Sequence, residues 1–462
     1  MQTIGVANYT DRYREICGTV WTSPHPRRVV DEISYGIGCR PPGSEALRQA
    51  REYLSQEFAS IGLVNIHEQD VPVLAWDKGH ANLELVSPYH VAFDTVHCVH
   101  TEAGQGVAPV VDSGAAGEAE VGRFKSCLKG ALALIVPSAS GTPSYEPLLR
   151  RITRLAEHGA AGAIVQNINP TLGPSIELVG LDRVAPIPVL GISYEQGQEL
   201  RWHVRRGKAE VRYRANGKSN AAVCANLIGE LQPDQPCDEI VINSSHLDSQ
   251  LQAPGSFDDL SGVAAMLEVA RALAPYRHDF KRTLRFIAYT AEEFGFIGSK
   301  TYVQQIREQL DAIRFVVNFD ELTAETAKGA AVMWSEPMCD FVADVFRATA
   351  RSVEARNFFC FSSDYVPYML VGIPAARPAD FLLRTHPAVS HTRYDTPDKV
   401  PCDWIRLNAM NFAQLLYAIA VHPGLLPAHL NSPEEVSELI DREGIRQVVD
   451  SMDLASLLDG NT

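Results

Sequence analysis

Acidic and histidine side chains follow three apolar segments of the chain, at positions where they could hold a metal ion. They are His246 and Asp248 in EIVINSSHLDS (239–249), Glu292 and Glu293 in TLRFIAYTAEE (283–293), and Asp320 in AIRFVVNFDEL (312–322). Imidazoles and carboxylates are ligands that zinc accepts, and a carboxylate beside a metal can take a proton from bound water. These residue types therefore favour metal-assisted hydrolysis.

Two further places add side chains of the same kinds. Asp258 and Asp259 lie in GSFDDLSG, where one carboxylate could bridge two cations while the other stabilises a helix start. His391 lies in HTRYDTPDKV with Asp395 four residues later. Each of these residues alone has a simpler explanation as a helix cap or a surface side chain. It is their combination at one sheet edge that indicates a functional site.

The segments that carry these residues predict an α/β fold. The three apolar runs suit strands buried on both faces, as in a parallel sheet. Between the first two runs, residues 260–273 (LSGVAAMLEVARAL) have apolar side chains at helical spacing, which indicates strand–helix–strand. Active sites of open α/β sheets lie beyond the carboxyl ends of the strands. We therefore expect a mixed, mainly parallel central sheet flanked by helices, with the site at that edge.

The rest of the chain suggests four parts. Residues 44–61 predict an amphipathic helix between a Ser44 cap and Gly62. A region rich in Gly, Ala and Val, with short strand-like pieces, is expected to be a β-rich domain inserted into the catalytic one. The predicted parts are the amino-terminal portion of the catalytic domain, the inserted domain, the remaining catalytic domain and a helical tail, at 1–89, 90–216, 217–427 and 428–462.

Two local patterns complete this outline. Ser432-Pro-Glu-Glu435 is a capping box, and the amphipathic helix after it could dock on the domain or on a second subunit. The basic cluster at residues 201–214 alternates with apolar residues and predicts a solvated hairpin. His97 and His100 have a spacing that could hold a metal, but no clustered carboxylates accompany them, so a structural role is favoured.

Composition limits the partners. With 41 basic and 56 acidic side chains, the net charge of −15 argues against nucleic acid and anionic lipid as partners. No apolar run is long enough to span a bilayer, and no signal peptide is evident at the first residues. Nine scattered cysteines without a CxxC pair are typical of reduced thiols. We expect a cytoplasmic protein, and a secreted one if a leader has been removed.

At this point the order of motifs resembles a known family. HLDS, DD.SG, AEE.G..GS, N.D, SD, GIPA and HT..DT.DKV follow one another as in the co-catalytic zinc aminopeptidases and their glutamate-carboxypeptidase-like relatives of clan MH. The resemblance covers residues 220–425, and the loop and helix from Arg40 onward resemble that family's amino-terminal segment. Within the inserted region, KGALALIVPS, AAGAIVQN and IPVLGIS resemble a protease-associated domain.

The resemblance implies the role of each site residue. Two zinc ions are implied as cofactors, with Asp258 bridging them, His246 and Asp320 completing one site, and Glu293 and His391 completing the other. Glu292 would be the general base for a hydroxide held between the metals, and Asp248 the partner that orients His246. The implied activity is hydrolysis of a terminal peptide bond in peptide substrates, with an aminopeptidase favoured.

Several alternatives stay open from the sequence. Many relatives have His after the Ser-Asp pair, whereas this chain has Tyr365, a substrate-binding candidate that could donate a hydrogen bond to the oxyanion or line the specificity pocket. His386 competes with His391 as a ligand, although only His391 has the DT..KV sequence downstream. A carboxypeptidase, a glutaminyl-cyclase-like acyltransferase and a catalytically silent receptor or scaffold are the other functions considered. The same ligands also accept cobalt or manganese.

Overall fold

The computed structural model describes residues 10–136, 146–181, 183–207, 209–235, 237–349, 351–381 and 389–458. The helices are α1 Thr10–Thr22, α2 His25–Gly36, α3 Glu45–Ile61, α4 Glu118–Phe124, α5 Leu148–Glu157, α6 Tyr194–Val204, α7 Leu260–Leu273, α8 Ile297–Gln305, α9 Glu336–Ala348, α10 Val366–Leu370, α11 Cys402–Val421, α12 Pro433–Glu443 and α13 Arg446–Ser451. None of these described helices combines the length and the apolar character that crossing a bilayer demands.

The strands form two sheets. They are β1 Val64–Asp77, β2 Ala81–Ser87, β3 Val91–Phe93, β4 Thr95–His97, β5 Gly104–Asp112, β6 Leu132–Ile135, β7 Gly162–Gln166, β8 Val189–Ile192, β9 Glu210–Ala215, β10 Lys218–Leu231, β11 Ile240–His246, β12 Thr283–Tyr289, β13 Ile313–Asn318, β14 Gly329–Met333, β15 Glu354–Asn357 and β16 Ala375–Pro378. This mixture of helices and sheets confirms the predicted fold class.

The first sheet carries the three apolar segments at its centre. Its strand order is β1-β10-β12-β11-β13-β16-β14-β15. Strand β11 pairs in parallel with β12 on one side and with β13 on the other, while β1, β10 and β14 supply the antiparallel pairings. The sheet is therefore mixed, with a parallel centre whose carboxyl ends meet at one edge.

Helix α7 lies behind that edge, and its bounds agree with the prediction. Nearly every residue of α7 is buried, because it packs between the sheet and helices α2 and α11. The α7 helix begins at a side-chain cap, where Asp259 accepts a hydrogen bond from the backbone N–H of Gly262. Helix α3 likewise begins at the predicted Ser44 cap and ends at Gly62, whose φ of 92° lies in the left-handed region.

The second sheet comes from residues 81–215, so it begins before the predicted boundary at residue 90, because β2 (Ala81–Ser87) pairs with β9. Its strand order is β3-β2-β9-β5-β6-β7-β8-β4, with parallel pairing from β5 through β8. Two apolar clusters cover its faces, and helices α5 and α6 contribute to them. The resemblance of this region to a protease-associated domain stays a prediction.

Two local predictions had different outcomes. The basic cluster is not a hairpin: its first residues end helix α6, which starts at a capping box formed by Ser193 and Gln196, and its last residues form β9. The capping box before α12 is confirmed, with Ser432 and Glu435 satisfying each other's backbone N–H groups. The apolar residues of α12 and α13 are buried against the catalytic sheet, so the tail docks on its own chain.

Candidate metal centre

The parallel strands bring the predicted site residues to one edge of the first sheet. His246 is the last residue of β11, Glu292 and Glu293 follow the end of β12, and Asp320 follows the end of β13. Asp258 precedes α7 in the loop that leaves β11. The loop that carries His391 reaches the same place, so the structure brings all five predicted ligands together.

Asp258 lies between the two histidines. Its Oδ1 atom is 3.0 Å from His246 Nε2, and its Oδ2 atom is 3.5 Å from His391 Nε2. Each oxygen of one carboxylate thus faces a different imidazole. A carboxylate that bridges two cations has this arrangement, because each of its oxygens can bind one ion.

A further carboxylate accompanies each histidine. Asp320 Oδ1 is 3.9 Å from His246 Nε2, and Glu293 Oε2 is 3.2 Å from His391 Nε2. Two groups of potential ligand atoms result, each with its atoms within 4.8 Å of one another; they comprise His246, Asp259 and Asp320, and Asp258, Glu293 and His391. The site can therefore hold two metal ions side by side.

Asp259 belongs to the first group by distance, but its oxygens are engaged elsewhere. Oδ1 accepts hydrogen bonds from the backbone N–H groups of Gly262 and Glu321, at 2.8 and 3.2 Å. Oδ2 accepts one from the Ser245 hydroxyl at 2.5 Å. The Asp258 carboxylate, in contrast, faces the ring nitrogens of His246 and His391. Asp259 therefore fits the role of a helix cap, and Asp258 remains the better bridge.

Two buried aspartates orient the ligand loops. Asp248 accepts hydrogen bonds from the backbone N–H groups of Glu292 and Glu293, both at 3.2 Å, and its Oδ1 lies 3.6 Å from His246 Nδ1. Asp395 accepts hydrogen bonds from the backbone N–H groups of Phe257 and Asp258 at 2.6 and 3.0 Å. Such partners fix the direction of metal ligands.

The site concentrates negative charge where water is scarce. Burial raises the pKa of Glu292 well above its ordinary value, and it does the same for Asp258. Burial opposes the charged form of His246, yet the carboxylates of Glu292, Asp248 and Asp258 raise its pKa well above the usual value. Carboxylates that repel one another in this way are stabilised by bound cations.

The donor set fits zinc. Two imidazoles and three carboxylates converge there, and His246 Nδ1 is a buried atom without a hydrogen-bond partner in the described part of the chain. The other ring nitrogen, Nε2, faces the carboxylates of Asp258 and Asp320, so Nε2 is the atom that would bind a metal. Borderline nitrogen and oxygen ligands in groups of three are typical of zinc sites with an open position.

The structure differs from the sequence prediction in the residues that line the cleft beside the metal ligands. Tyr365 is fully buried beneath it, where its hydroxyl lies 3.1 Å from Ser362 Oγ, so it does not face substrate directly. Ser362 and Arg377 line the cleft in its place, and so does Glu177, which comes from the region of the second sheet. None of these was predicted, because single polar residues in loops and short strands have no periodic pattern. His386 lies outside the described residues.

Two neighbouring groups of metal ligands lie at one edge of the mixed sheet. This arrangement in an α/β fold defines a co-catalytic metallohydrolase. Residues 226–416 match the sequence profile described as Peptidase family M28. This part of the chain is similar to that family, and the chain is a metallopeptidase.

Similar sequences include a probable leucine aminopeptidase 2 of Aspergillus oryzae, 26% identical over 346 residues, with 72% of this chain and 67% of the relative covered. An aminopeptidase of Bacillus subtilis is 26% identical over 361 residues, with 76% of this chain and 74% of the relative covered. The matches thus span about two thirds to three quarters of these relatives.

Solved structures show the same fold. A peptidase M28 precursor from Shewanella amazonensis superposes with a TM-score of 0.80 at 20% identity, covering 92% of this chain and 100% of that one. A zinc aminopeptidase from Bacillus subtilis superposes with a TM-score of 0.69 at 20% identity, covering 88% of this chain and 97% of that one.

Proposed function

We propose that this protein is a zinc-dependent aminopeptidase that hydrolyses the amino-terminal peptide bond of peptides. The observation that carries the proposal is Asp258, whose two oxygens face two histidines that each lie near a further carboxylate. Relatives named as aminopeptidases support the direction of cleavage. A free substrate amine, which is cationic or a metal ligand, suits a cleft with this many carboxylates.

The ligand sets divide the five residues between two zinc ions. His246 and Asp320 would hold one ion, Glu293 and His391 the other, and Asp258 would contact both. When bound, the zinc ions supply Lewis acidity and lower the pKa of water toward neutrality. Asp248 and Asp395 hold the ligand loops in place through the backbone hydrogen bonds described above.

Glu292 is the residue that moves the proton. Its Oε2 atom lies 3.9 Å from His246 Nε2, at the edge of the ligand cluster, and no side-chain hydrogen bond holds it in the described part of the chain. Because burial raises its pKa, its carboxylate is a stronger base than an exposed glutamate. Glu292 would take a proton from the attacking water and pass it to the departing amine.

The test uses substrates that differ only at the amino group. Zinc-loaded protein is given leucine p-nitroanilide and N-acetyl-leucine p-nitroanilide, before and after treatment with a chelator. The proposal predicts release of nitroaniline from the free-amine substrate alone, its loss on chelation and its return with zinc. Equal cleavage of the acetylated substrate, or activity that survives metal removal, would contradict it. Cleavage only at the carboxyl end of peptides would favour the carboxypeptidase alternative.

A further inference from the structure

The cleft beside the metal ligands contains a cationic side chain with no role in the proposed chemistry. Arg377 lies on the short strand β16 and is half-buried. It is the single Lys or Arg among the described residues that line the cleft. The titratable residues around it are acidic apart from His391, and they are Glu177, Asp258, Glu292, Glu293, Asp320 and Glu321.

The described partners of Arg377 are all neutral oxygens. Its Nη1 donates a hydrogen bond to Ser362 Oγ at 2.7 Å, and its Nη2 donates one to the backbone oxygen of Asp320 at 3.2 Å. Its Nε donates to the backbone oxygen of Pro378 at 3.2 Å. Within the part of the chain that the structure describes, no carboxylate lies within ion-pair distance of this guanidinium.

Arg40 provides a useful contrast, because it also contacts neutral oxygens. Arg40 is completely buried, and its guanidinium donates hydrogen bonds to the backbone oxygens of Gly38, Leu247, Pro254 and Gly255. It is enclosed, so its role is to join loops. Arg377 instead remains accessible from the cleft in which a peptide would lie.

The position of Arg377 is held by residues behind it. Ser362 Oγ, which accepts from Nη1, also lies 3.1 Å from the hydroxyl of the fully buried Tyr365. The contact with Asp320 ties the guanidinium to the loop of a metal ligand. The Arg377 guanidinium is held by these hydrogen bonds and is accessible from the cleft. It can therefore bind a ligand with little loss of side-chain entropy.

We propose that Arg377 binds a carboxylate of the substrate. A guanidinium is permanently charged and presents a planar fork of N–H groups that matches a carboxylate. Because Arg377 lines the same cleft as the metal ligands and contacts the backbone oxygen of Asp320, the carboxylate that it binds belongs to a residue close to the cleaved bond. The proposal rests on the proposed function and names its substrate class.

Two kinds of peptide carry a carboxylate close to the cleaved bond. One has an acidic side chain on its amino-terminal residue, and the other is a dipeptide whose free carboxyl terminus follows the cleaved bond. Each is compared with an uncharged isostere: glutamyl with glutaminyl p-nitroanilide, and leucyl-leucine with leucyl-leucine amide. The measured quantity is the ratio of kcat/KM within each pair, for the wild type, Arg377→Gln and Arg377→Lys.

The proposal predicts that Arg377→Gln lowers this ratio by about tenfold to a hundredfold in one of the two pairs, and that Arg377→Lys lowers it less. The pair that responds identifies the source of the carboxylate. An equal fall in both members of each pair would overturn the proposal in favour of a general role in catalysis or folding, and so would unchanged ratios. Arg212→Gln removes an equal charge from an exposed ion pair with Glu84 and should change neither ratio.

A binding measurement keeps this test separate from the proposed function. Calorimetric titration of zinc-loaded protein with free glutamate and free glutamine reports recognition without turnover. Tighter binding of glutamate to the wild type, lost in Arg377→Gln, would support the acidic side chain as the ligand even if no anilide were cleaved. If the wild type cleaves leucine p-nitroanilide but neither ratio nor binding responds to Arg377, the proposed function stands and the role of Arg377 is wrong.

Discussion

Two pairs of histidines lie in different regions of this molecule, and their surroundings differ in one respect. His246 and His391, at the edge of the first sheet, face the carboxylates of Asp258, Asp320 and Glu293. His97 and His100, at the second sheet, face neutral partners. His100 contacts the backbone oxygens of Gly180 and Leu74, and His97 contacts Thr101, Glu102 O and the N–H of Gly217.

The same residue type responds in opposite directions. Burial disfavours the charged ring in both regions. At the first sheet, the carboxylates nonetheless raise the pKa of His246 and of His391. At the second sheet, burial lowers the pKa of His100 and lowers that of His97 to about 4. Hydrogen-bond partners, rather than spacing in the sequence, thus separate a metal site from a pair of core histidines.

The largest effect is expected from Glu292→Gln. Removing the proton acceptor should lower kcat by about a thousandfold, while both zinc ions stay bound because Glu292 is not a ligand in this account. Steady-state kinetics with leucine p-nitroanilide and zinc analysis of the same sample provide the check. A variant with near-normal kcat would show that another group takes the proton.

The next effect contrasts the histidine pairs directly. His246→Ala should lose one zinc ion and at least about a hundredfold in kcat/KM, because it removes a ligand from one site. His97→Asn should keep both ions and most activity, since His97 lies near no carboxylate that the structure describes. Metal content per chain decides between them. Full occupancy in His246→Ala would break the comparison.

A smaller effect is expected behind the bridge. Asp395→Asn leaves one acceptor oxygen for the two N–H groups of Phe257 and Asp258, so it should weaken zinc binding by about tenfold to a hundredfold. Competition with a zinc chelator measures this change. Asp398→Asn, on the exposed part of the same loop, is the matched control, and equal weakening by both variants would exclude a specific role for Asp395.

The smallest effect concerns how the free energy of unfolding depends on pH. His97 is neutral when folded, since its pKa falls from 6.5 to about 4, so its contribution of about 3 kcal/mol is present above pH 6.5 and is lost as pH falls toward 4. His97→Asn can still accept from Gly217 N–H but does not titrate. Its loss of stability relative to wild type should shrink by about 2 kcal/mol between about pH 7.5 and 4.5 in urea unfolding. A constant difference would contradict this.

Much of the fold follows from patterns that are local in the sequence. The three central strands are predictable because both of their faces are buried, and α7 because its apolar residues recur at helical spacing between Asp259 and Leu273. The hairpin prediction at residues 201–214 failed because the capping box at Ser193 and Gln196, which starts α6, was not recognised as a helix signal.

The site shows where local patterns end. The five predicted ligands converge because each ends a strand or opens a loop at one edge, which strand topology anticipates. Arg377 could not be predicted in this way, since it is one polar residue on a four-residue strand. That strand, β16, lies beside the site because it pairs in parallel with β13. The burial of Tyr365 depends on an apolar cluster whose members come from distant parts of the sequence, which the local pattern does not encode.

The central claim is that Asp258 joins two metal sites, and anomalous X-ray diffraction from zinc-loaded crystals tests it most directly. The account predicts two zinc peaks on either side of the Asp258 carboxylate, one near His246 and Asp320 and the other near His391 and Glu293. A single peak, or zinc bound by Asp259 with Asp258 turned away, would contradict it.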